Sequence, residues 1–276
     1  MKADGKADGR LLGVIAACGV ALVWVLPFAW MSIASLRPGV PADIASLSPP
    51  GPFSLANYAE AWNSGPFPIW YLNTVLMCSG ILLVQLVTVT AAGYAFARIR
   101  FRVREALFAA FMLQLLLIPP LLIVPNVTTL AALGLYDRLI GVMAPYCASA
   151  FGVFLMRQTF RAIPLDYEEA AMLDGAGVLT LIWRVLVPLA QPGLIAFAVV
   201  SVSAHWNEFL WPLMVLSSPR NQVLTVGLAS FASGAEAGSA WGVVAAGTAM
   251  VAAPLLLLFL IFQRRFVASF VFSGIK

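Results

Sequence analysis

Long apolar stretches without charge are the feature that most restricts how this chain can fold. A helix needs about 20 apolar residues to cross the hydrocarbon core of a bilayer. Runs of about that length recur along the sequence, and each of them predicts a membrane span. The predicted spans are residues 11–36, 70–97, 106–128, 139–158, 192–216 and 240–262. We therefore expect an all-α, polytopic membrane protein with a single transmembrane domain over residues 1–276.

The composition excludes an ordinary soluble domain. Hydrophobic residues make up 62% of the chain and charged residues 10%, whereas soluble domains carry about 25% charged residues. The few charges must therefore lie mainly between the spans or serve a purpose within them.

The basic residues indicate the orientation, because short cytoplasmic loops are enriched in Lys and Arg. With the N-terminus inside, all but three of the 16 basic residues fall on the cytoplasmic side. The exceptions are Arg37, Arg138 and Arg220. We predict a multi-pass protein of the cell (inner) membrane with both termini in the cytoplasm. This topology accounts for the net charge of +4, and no nucleic-acid partner is predicted.

One polar segment interrupts the apolar sequence before the fifth span. Residues 166–174 are predicted to form a short helix with Asp166 as its N-cap. Glu168 and Glu169 would lie in its first turn, where the helix dipole favours carboxylates, and Gly175 would end it. Such a helix is only about 14 Å long, and helices of this length are marginal alone in water. We expect it to dock onto another surface.

The same segment, residues 161–190, resembles the E-A-A loop of permease subunits of ABC importers. The pattern is Glu-Ala-Ala, then Gly after three residues, then an apolar tripeptide and Pro after nine more. The matching residues are Glu169, Ala170, Ala171, Gly175 and Pro188. Two departures are valines at 185 and 187, which stay apolar, and Gly177, where relatives often have Ser or Thr. A surface helix-turn-helix without a partner is the alternative interpretation.

This resemblance implies the type I ABC importer permease fold, in which the loop forms a cytoplasmic coupling helix that sits in a cleft of the ATPase subunit. The residues it assigns to coupling are Glu168, Glu169, Ala170, Ala171, Asp174, Gly175 and Pro188. The implied partners are a second, non-identical permease, two ATPase subunits, an extracytoplasmic solute-binding protein and the lipid bilayer. ATP and Mg²⁺ would bind to the ATPase subunits.

The chain itself is not expected to be an enzyme or to bind a cofactor. A P-loop needs Gly-x-x-x-x-Gly-Lys-Ser/Thr to hold phosphates, and no lysine has that setting. The sequence also shows no zinc cluster and no pairing of a nucleophile with a base, so no metal or catalytic site is predicted.

Further stretches resemble sugar-type permeases. They are Phe53 to Tyr58 followed by Asn73-Thr74, Ala91 to Arg98, Leu133 to Leu135, and Trp206, Asn207, Phe209 and Pro212. Residues 53–62 also predict a short amphipathic helix at the membrane interface. Prolines at 119 and 120 predict a kink or break in the third span.

The fifth span contains the candidate substrate pathway. An ionisable residue within a span costs roughly 2.5–3.5 kcal/mol, so it usually faces a cavity or a partner. His205 and Glu208 are three apart, on one face of a continuous helix, and could pair. Trp206, Asn207 and Gln114 complete the candidate set.

We therefore expect a permease subunit of an ATP-driven, binding-protein-dependent importer of a carbohydrate or polyol, working by alternating access. A glycerol 3-phosphate-type importer permease is the alternative within the family. An ion-coupled secondary transporter, with His205 and Glu208 as a proton relay, is the alternative from another class. A membrane scaffold without transport is the third.

Overall fold

The structure is a computed structural model, and it describes residues 4–38, 52–234 and 241–274. All regular structure in these ranges is helical, which confirms the predicted all-α class. The helices are α1 (Asp4–Ser35), α2 (Ala56–Asn63), α3 (Phe67–Arg98), α4 (Arg104–Met112), α5 (Ile123–Ala132), α6 (Leu139–Met143), α7 (Ala150–Ala162), α8 (Asp166–Leu173), α9 (Val178–Thr180), α10 (Val187–Leu189), α11 (Gln191–Trp206), α12 (Leu210–Val215), α13 (Leu224–Gly234) and α14 (Trp241–Gly274). Short 3-10 helices lie at Leu113–Leu116, Pro119–Leu122 and Ala144–Tyr146, and a π-helix at Leu181–Leu186.

Three helical segments of the described residues are long and apolar enough to cross a membrane alone. They are Gly13–Ser35, Phe67–Arg98 and Trp241–Ile261. Three bent helix pairs would bring the number to six if each pair is one span. The predicted six spans therefore remain a prediction, while the multi-pass character of the chain follows from the long helices.

The third predicted span is broken, as its prolines predicted. The helix that begins at Arg104 ends at Leu116, and a second begins at Pro119, with an angle of 99° between them. Leu117 and Ile118 adopt extended backbone at the break. Pro119 and Pro120 restrict the preceding residues to such conformations and lack an N–H for the helix before them.

The fourth and fifth predicted spans are also interrupted. The helix that ends at Tyr146 meets α7 at an angle of 46°, where Ser149 caps α7 by accepting a hydrogen bond from the Gly152 N–H. In the fifth span, α11 ends at Trp206 and α12 begins at Leu210. Proline at position 212 has no N–H to offer the Glu208 carbonyl, which instead accepts from the Thr225 hydroxyl at 2.7 Å.

Several element ends also differ from the prediction. α14 continues to Gly274, beyond the end of the predicted span at residue 262. The last outer loop, predicted over residues 217–239, contains α13. α3 begins at Phe67, three residues before the predicted start of the second span. Gly238, Ile275 and Lys276, which the sequence pattern drew on, lie outside the described residues.

The described residues form two compact units. The first unit comprises residues 1–67 and 228–253, and the second comprises residues 68–227 and 254–276. In the first, the buried Asn57 amide of α2 donates hydrogen bonds to the carbonyls of Ala34, Ser35 and Arg37 at the end of α1. The predicted helix α2 therefore contacts the end of α1, where backbone carbonyls lack the N–H groups of a following turn.

The core of the second unit lies where α3, α7, the π-helix and α11 meet. Its largest fully buried side chains include Phe160, Met156, Leu186 and Phe197. Small residues permit the close approach, since a Cβ on Gly152 would lie 2.6 Å from the Phe197 ring and from Val89. This core fixes the ends of the helices that carry the polar segment.

Candidate functional site

The polar segment contains the predicted short helix, α8, with one correction at its start. The Glu168 and Glu169 N–H groups donate to the Leu165 carbonyl at 2.8 and 3.0 Å. Leu165 is therefore the N-cap, and Asp166 is the first helical residue without a capping hydrogen bond. Asp166, Glu168 and Glu169 still occupy the first turn, where their charge opposes the positive end of the helix dipole.

Gly175 ends α8 in a C-terminal capping motif. It adopts a left-handed conformation with φ of +82°. The N–H of Gly175 donates to the Met172 carbonyl and the N–H of Ala176 donates to the Ala171 carbonyl, each at 3.0 Å. This pattern is the Schellman motif, which satisfies the last carbonyls of a helix. The predicted role of Gly175 in ending the helix is confirmed.

The two adjacent glutamates of α8 have different surroundings. Glu168 is only 4% exposed and pairs with the Arg98 guanidinium, with Nε and Oε1 2.5 Å apart. Arg98 lies at the end of α3 and also donates to the Ile163 carbonyl at 2.5 Å. Glu169 is exposed. One glutamate therefore fixes the helix to its own chain, while the other is available to a partner.

A second ion pair joins the middle of α7 to α4. Arg157 is 5% exposed and donates to both oxygens of Glu105 at 2.7 Å. Its guanidinium also lies 3.8 Å from the centroid of the Phe108 ring and donates to the Phe96 carbonyl. These contacts join α7 to α3 and α4 beside the polar segment. The sequence pattern placed Arg157 among the cytoplasmic basic residues and gave it no partner.

The outer face of the polar segment is apolar and exposed. Leu173 is 89% exposed and Leu179 is 73% exposed, and Met172 and Val178 are each more than half exposed. Among the predicted coupling residues, those that are also exposed are Glu169, Ala170, Asp174, Gly175 and Pro188, whereas Ala171 is half-buried against the core. Exposed large apolar side chains in a cluster are typical of a docking surface.

The chain after α8 fixes this surface to the core. Gly177 is the N-cap of α9, at the position where the sequence pattern placed a cap, and it offers only its carbonyl. The helical stretch continues through the π-helix, whose residues Leu181, Ile182 and Leu186 are buried. We name the exposed side chains of Met172, Leu173, Val178 and Leu179 the docking surface. The segment that carries it is held at one end by the Arg98–Glu168 ion pair and at the other by the buried π-helix.

The predicted pairing of His205 with Glu208 was wrong. Among the described residues no ion pair joins them, because α11 ends at Trp206 and Glu208 lies in the break beyond it. His205 Nδ1 lies 2.7 Å from the Ser201 carbonyl oxygen. The His205 and Tyr146 rings pack edge to face, with their centroids 4.6 Å apart. The Glu208 carboxylate accepts hydrogen bonds from the Tyr146 hydroxyl and from the backbone N–H of Trp211.

The other candidate pathway residues are not gathered into one site. Trp206 is buried against Tyr71, with ring centroids 6.5 Å apart. Asn207 is exposed and donates to the Ser203 carbonyl at 2.8 Å. Gln114 is exposed in a 3-10 helix, and in the described part of the chain no hydrogen bond joins it to the other four candidates. The substrate-pathway assignment remains a prediction.

Gln85 is a buried polar residue that sequence reasoning missed. It lies midway along α3, is 3% exposed, and donates to the Tyr146 carbonyl at 2.8 Å. Its amide oxygen accepts from the Ser201 hydroxyl at 2.6 Å. Through Ser201 the amide connects to His205, so one polar network joins three helices. A glutamine in the middle of an apolar stretch was the available signal.

Asp137 organises a second polar cluster, on the turn between α5 and α6. Its carboxylate accepts hydrogen bonds from the Ser217 N–H at 2.9 Å, from the Ser218 N–H at 3.0 Å and from the Ser218 hydroxyl. Its backbone carbonyl accepts from the Asn221 amide at 2.6 Å. Burial opposes ionisation, but these hydrogen bonds outweigh it and lower the pKa of Asp137 below its ordinary value.

Side chains of α3 hold the same loop from the other side. The Trp70 indole donates to the Pro219 carbonyl at 2.9 Å. The Asn73 amide donates to the Arg220 and Gln222 carbonyls, both at 2.9 Å. We name residues 217–223 the clamped loop, because its backbone is held by both the 137 turn and α3.

Comparison with known families supports the resemblance seen in the sequence. The family described as the binding-protein-dependent transport system inner membrane component matches residues 89–271, which is more than half of the chain. The chain belongs to this family. The predicted membership of the ABC importer permeases is therefore confirmed, and the protein is a multi-pass membrane permease rather than an enzyme.

Curated relatives of this permease transport different solutes. The sn-glycerol-3-phosphate transport system permease protein of Yersinia pestis is 31% identical over 230 residues, covering 81% of this chain and 82% of the relative. The diacetylchitobiose uptake system permease protein of Streptomyces coelicolor is 28% identical and covers 97% of this chain and 90% of its own. The arabinooligosaccharides transport system permease protein of Halalkalibacterium halodurans is also 28% identical, over 93% of each chain.

Solved structures confirm the permease fold. A chain of a bacterial ABC transporter involved in the import of the acidic polysaccharide alginate superposes with a TM-score of 0.77 at 24% identity, covering 94% of this chain and 95% of that one. A second structure, of the alginate transporter in complex with a pentasaccharide-bound periplasmic protein, gives a TM-score of 0.66 at 15% identity. It covers 94% of this chain and 96% of that one.

Proposed function

We propose that this permease is the membrane-spanning subunit of an ATP-driven importer for a carbohydrate or polyol, and that α8 is its coupling helix. The observation that carries the proposal is the division of α8 into two faces. The buried Glu168 is tied to Arg98, and the exposed face presents Glu169, Ala170 and Leu173 beyond the chain's own core.

The proposed partners follow from that surface and from the family. A separate ATPase subunit would receive the exposed face of α8 and would carry ATP and Mg²⁺. We propose two such subunits, a second, non-identical permease and an extracytoplasmic solute-binding protein, with both termini of this chain in the cytoplasm. The periplasmic protein bound to the alginate transporter supports the last type of partner.

The mechanism follows from how firmly α8 is attached. The ion pair and the Schellman motif hold α8 rigidly to the rest of the chain. A displacement of its exposed face would therefore move the end of α3 through Arg98. It would also move α11 through the π-helix. Reversing a two-state preference from 1:99 to 99:1 needs about 5.5 kcal/mol of differential binding. ATP-dependent closure of the ATPase subunits would supply this energy and alternate the access of the solute site.

Two solute classes are open within this function. The oligosaccharide relatives support a carbohydrate, and the Yersinia pestis relative supports glycerol 3-phosphate. An ion-coupled carrier would need a titratable relay within the spans. His205 instead contacts a backbone carbonyl and a tyrosine ring, so the pairing that motivated this alternative is missing.

The first experiment is recovery of partners with the tagged, full-length chain solubilised from native membranes. We expect mass spectrometry to identify a second permease, an ATPase and a solute-binding protein. The chain recovered alone, and transporting in liposomes without ATP, would instead support an ion-coupled carrier.

A charge reversal tests the coupling face directly. We expect Glu169→Lys to reduce ATPase recovery and solute uptake at least tenfold, since a loss of about 1.4 kcal/mol of binding is already a factor of ten. The matched control is Glu60→Lys, because Glu60 is an exposed glutamate on α2, which like α8 has eight residues. Normal uptake by Glu169→Lys at equal membrane abundance would refute the coupling role.

A further inference from the structure

The segment that joins α3 to α4 alternates apolar and basic side chains. Ile99, Phe101 and Val103 alternate with arginines at positions 100, 102 and 104. The three apolar side chains are all exposed, between 36% and 53%. We name residues 99–104 the arginine segment. Three exposed apolar side chains in one short segment indicate contact with an apolar partner. The arginines beside them indicate that this partner also carries negative charge.

The arginine segment lies at a membrane surface, whichever way the chain is oriented. The helix before it, Phe67–Arg98, is a candidate span, and the helix after it, beginning at Arg104, starts one of the bent candidate pairs. A short connection between two spans must lie at the level of the lipid headgroups. At that depth, apolar side chains can enter the acyl boundary while arginines extend to the phosphates.

The charge of the arginine segment is not neutralised by the protein. Arg98, just before it, is paired with Glu168. Glu105 is shared among Arg157, Arg104 and Arg161, at 2.7, 3.1 and 3.6 Å. In the described ranges no carboxylate lies within 4.0 Å of the guanidinium of Arg100 or of Arg102. Two exposed cations therefore remain available to an external anion.

An open surface depression lies among these cations. Its volume is about 440 Å³, and it is lined by Arg100, Phe101, Arg102, Arg104, Glu105 and Ala106. The Phe101 ring forms part of the lining and also contacts Phe96, with ring centroids 6.2 Å apart. A lining that combines three arginines with Phe101 and Ala106 suits a ligand with a phosphate and an acyl chain.

We propose that the arginine segment binds the headgroup of an anionic phospholipid, with Arg100 and Arg102 on the phosphate and Ile99, Phe101 and Val103 beside the acyl chains. In the sequence the segment is flanked by two ion-paired residues, Arg98, which pairs with Glu168, and Glu105, which pairs with Arg157. This proposal does not depend on the transported solute or on ATP.

The test is native mass spectrometry of the full-length chain in an uncharged detergent, with dioleoyl phosphatidylglycerol or dioleoyl phosphatidylcholine added. We expect the chain to retain phosphatidylglycerol in preference. We expect Arg100→Gln/Arg102→Gln to bind it roughly 30-fold more weakly, since each basic residue at an anionic surface contributes roughly fivefold. Arg100→Lys/Arg102→Lys keeps the charge and should retain most of the binding.

The control is Arg138→Gln/Arg220→Gln, which removes two exposed arginines elsewhere and should leave binding unchanged. Undiminished binding by the 100/102 glutamine variant would overturn the proposal. Inorganic phosphate that binds the lipid-free chain with the same dependence on both arginines, and displaces the lipid, would instead identify a site for soluble phosphate. A photoactivatable phosphatidylglycerol gives a readout on the unaltered chain, and crosslinks confined to segments other than 99–106 would also refute the site.

Discussion

At the scale of single residues, an adjacent pair of like side chains carries two different functions. Successive helix residues point about 100° apart, so Glu168 and Glu169 cannot both face the core. Burial and the Arg98 pair give Glu168 a structural task, and exposure leaves Glu169 for a partner. The sequence placed both in one coupling set, because periodicity alone does not reveal which of them meets an arginine from a helix 70 residues earlier.

Arg98→Ala should destabilise the protein by leaving the Glu168 carboxylate without a counter-charge. Breaking a buried ion pair costs about 3–5 kcal/mol, and the partial exposure of Arg98 reduces this to about 2–3 kcal/mol. Unfolding in uncharged detergent measures the change. Arg100→Ala, two residues on and exposed, is the control and should change the free energy of unfolding by less than about 0.5 kcal/mol. Equal effects of the two substitutions would contradict the structural task assigned to Glu168.

The Asp137 carboxylate should make the clamped loop sensitive to acid. Its pKa is lower in the folded protein than in the unfolded chain, so its stabilisation is complete above the unfolded pKa and is lost as pH falls through the folded pKa. We expect Asp137→Asn to destabilise the protein at neutral pH and to lose that deficit in acid. Hydrogen exchange at the Ser217 and Ser218 amides from neutral pH down to strong acid measures it. Parallel pH profiles of the two proteins would refute the assignment.

At the scale of elements, the stop signal of α8 depends on glycine. A non-glycine residue in the left-handed conformation costs about 1–2 kcal/mol, so Gly175→Ala should loosen the end of the helix. Gly177→Ala is the matched control, because Gly177 has φ of −72° and nothing within 4 Å of a built Cβ. Hydrogen exchange at the Ala176 amide should rise about tenfold in the first variant and stay unchanged in the second. Equal exchange at this amide in the two variants would contradict a role for Gly175 in making α8 rigid.

Element ends show what local sequence can reveal. The end of α8 at a glycine and the break at Pro119-Pro120 were predictable, because both depend on backbone restrictions of one or two residues. The break of α11 was missed because its cause is divided between two places. Pro212 removes an N–H, and Thr225, 17 residues beyond Glu208, supplies the replacement donor. Pairing of that kind is set by the tertiary fold.

At the scale of the whole molecule, the apolar runs and the E-A-A spacing sufficed for the fold class and the family. Spacing along the chain does not show which polar residues meet across helices. Gln85 with Ser201, Arg157 with Glu105, and the Asp137 cluster therefore became visible only in the structure. Each of them joins helices that are distant in sequence.

Three positions of the clamped loop are held by α3 through their backbone carbonyl oxygens. Trp70 and Asn73 donate to the carbonyl oxygens of residues 219, 220 and 222, and every amino acid has such an oxygen. Substitutions at these three positions therefore leave the acceptors of the loop unchanged. Mutation can vary the side chains at the exposed positions 219 and 220 while the backbone path is inherited, so descendants of one ancestral permease could acquire different outer surfaces without evolving a new fold.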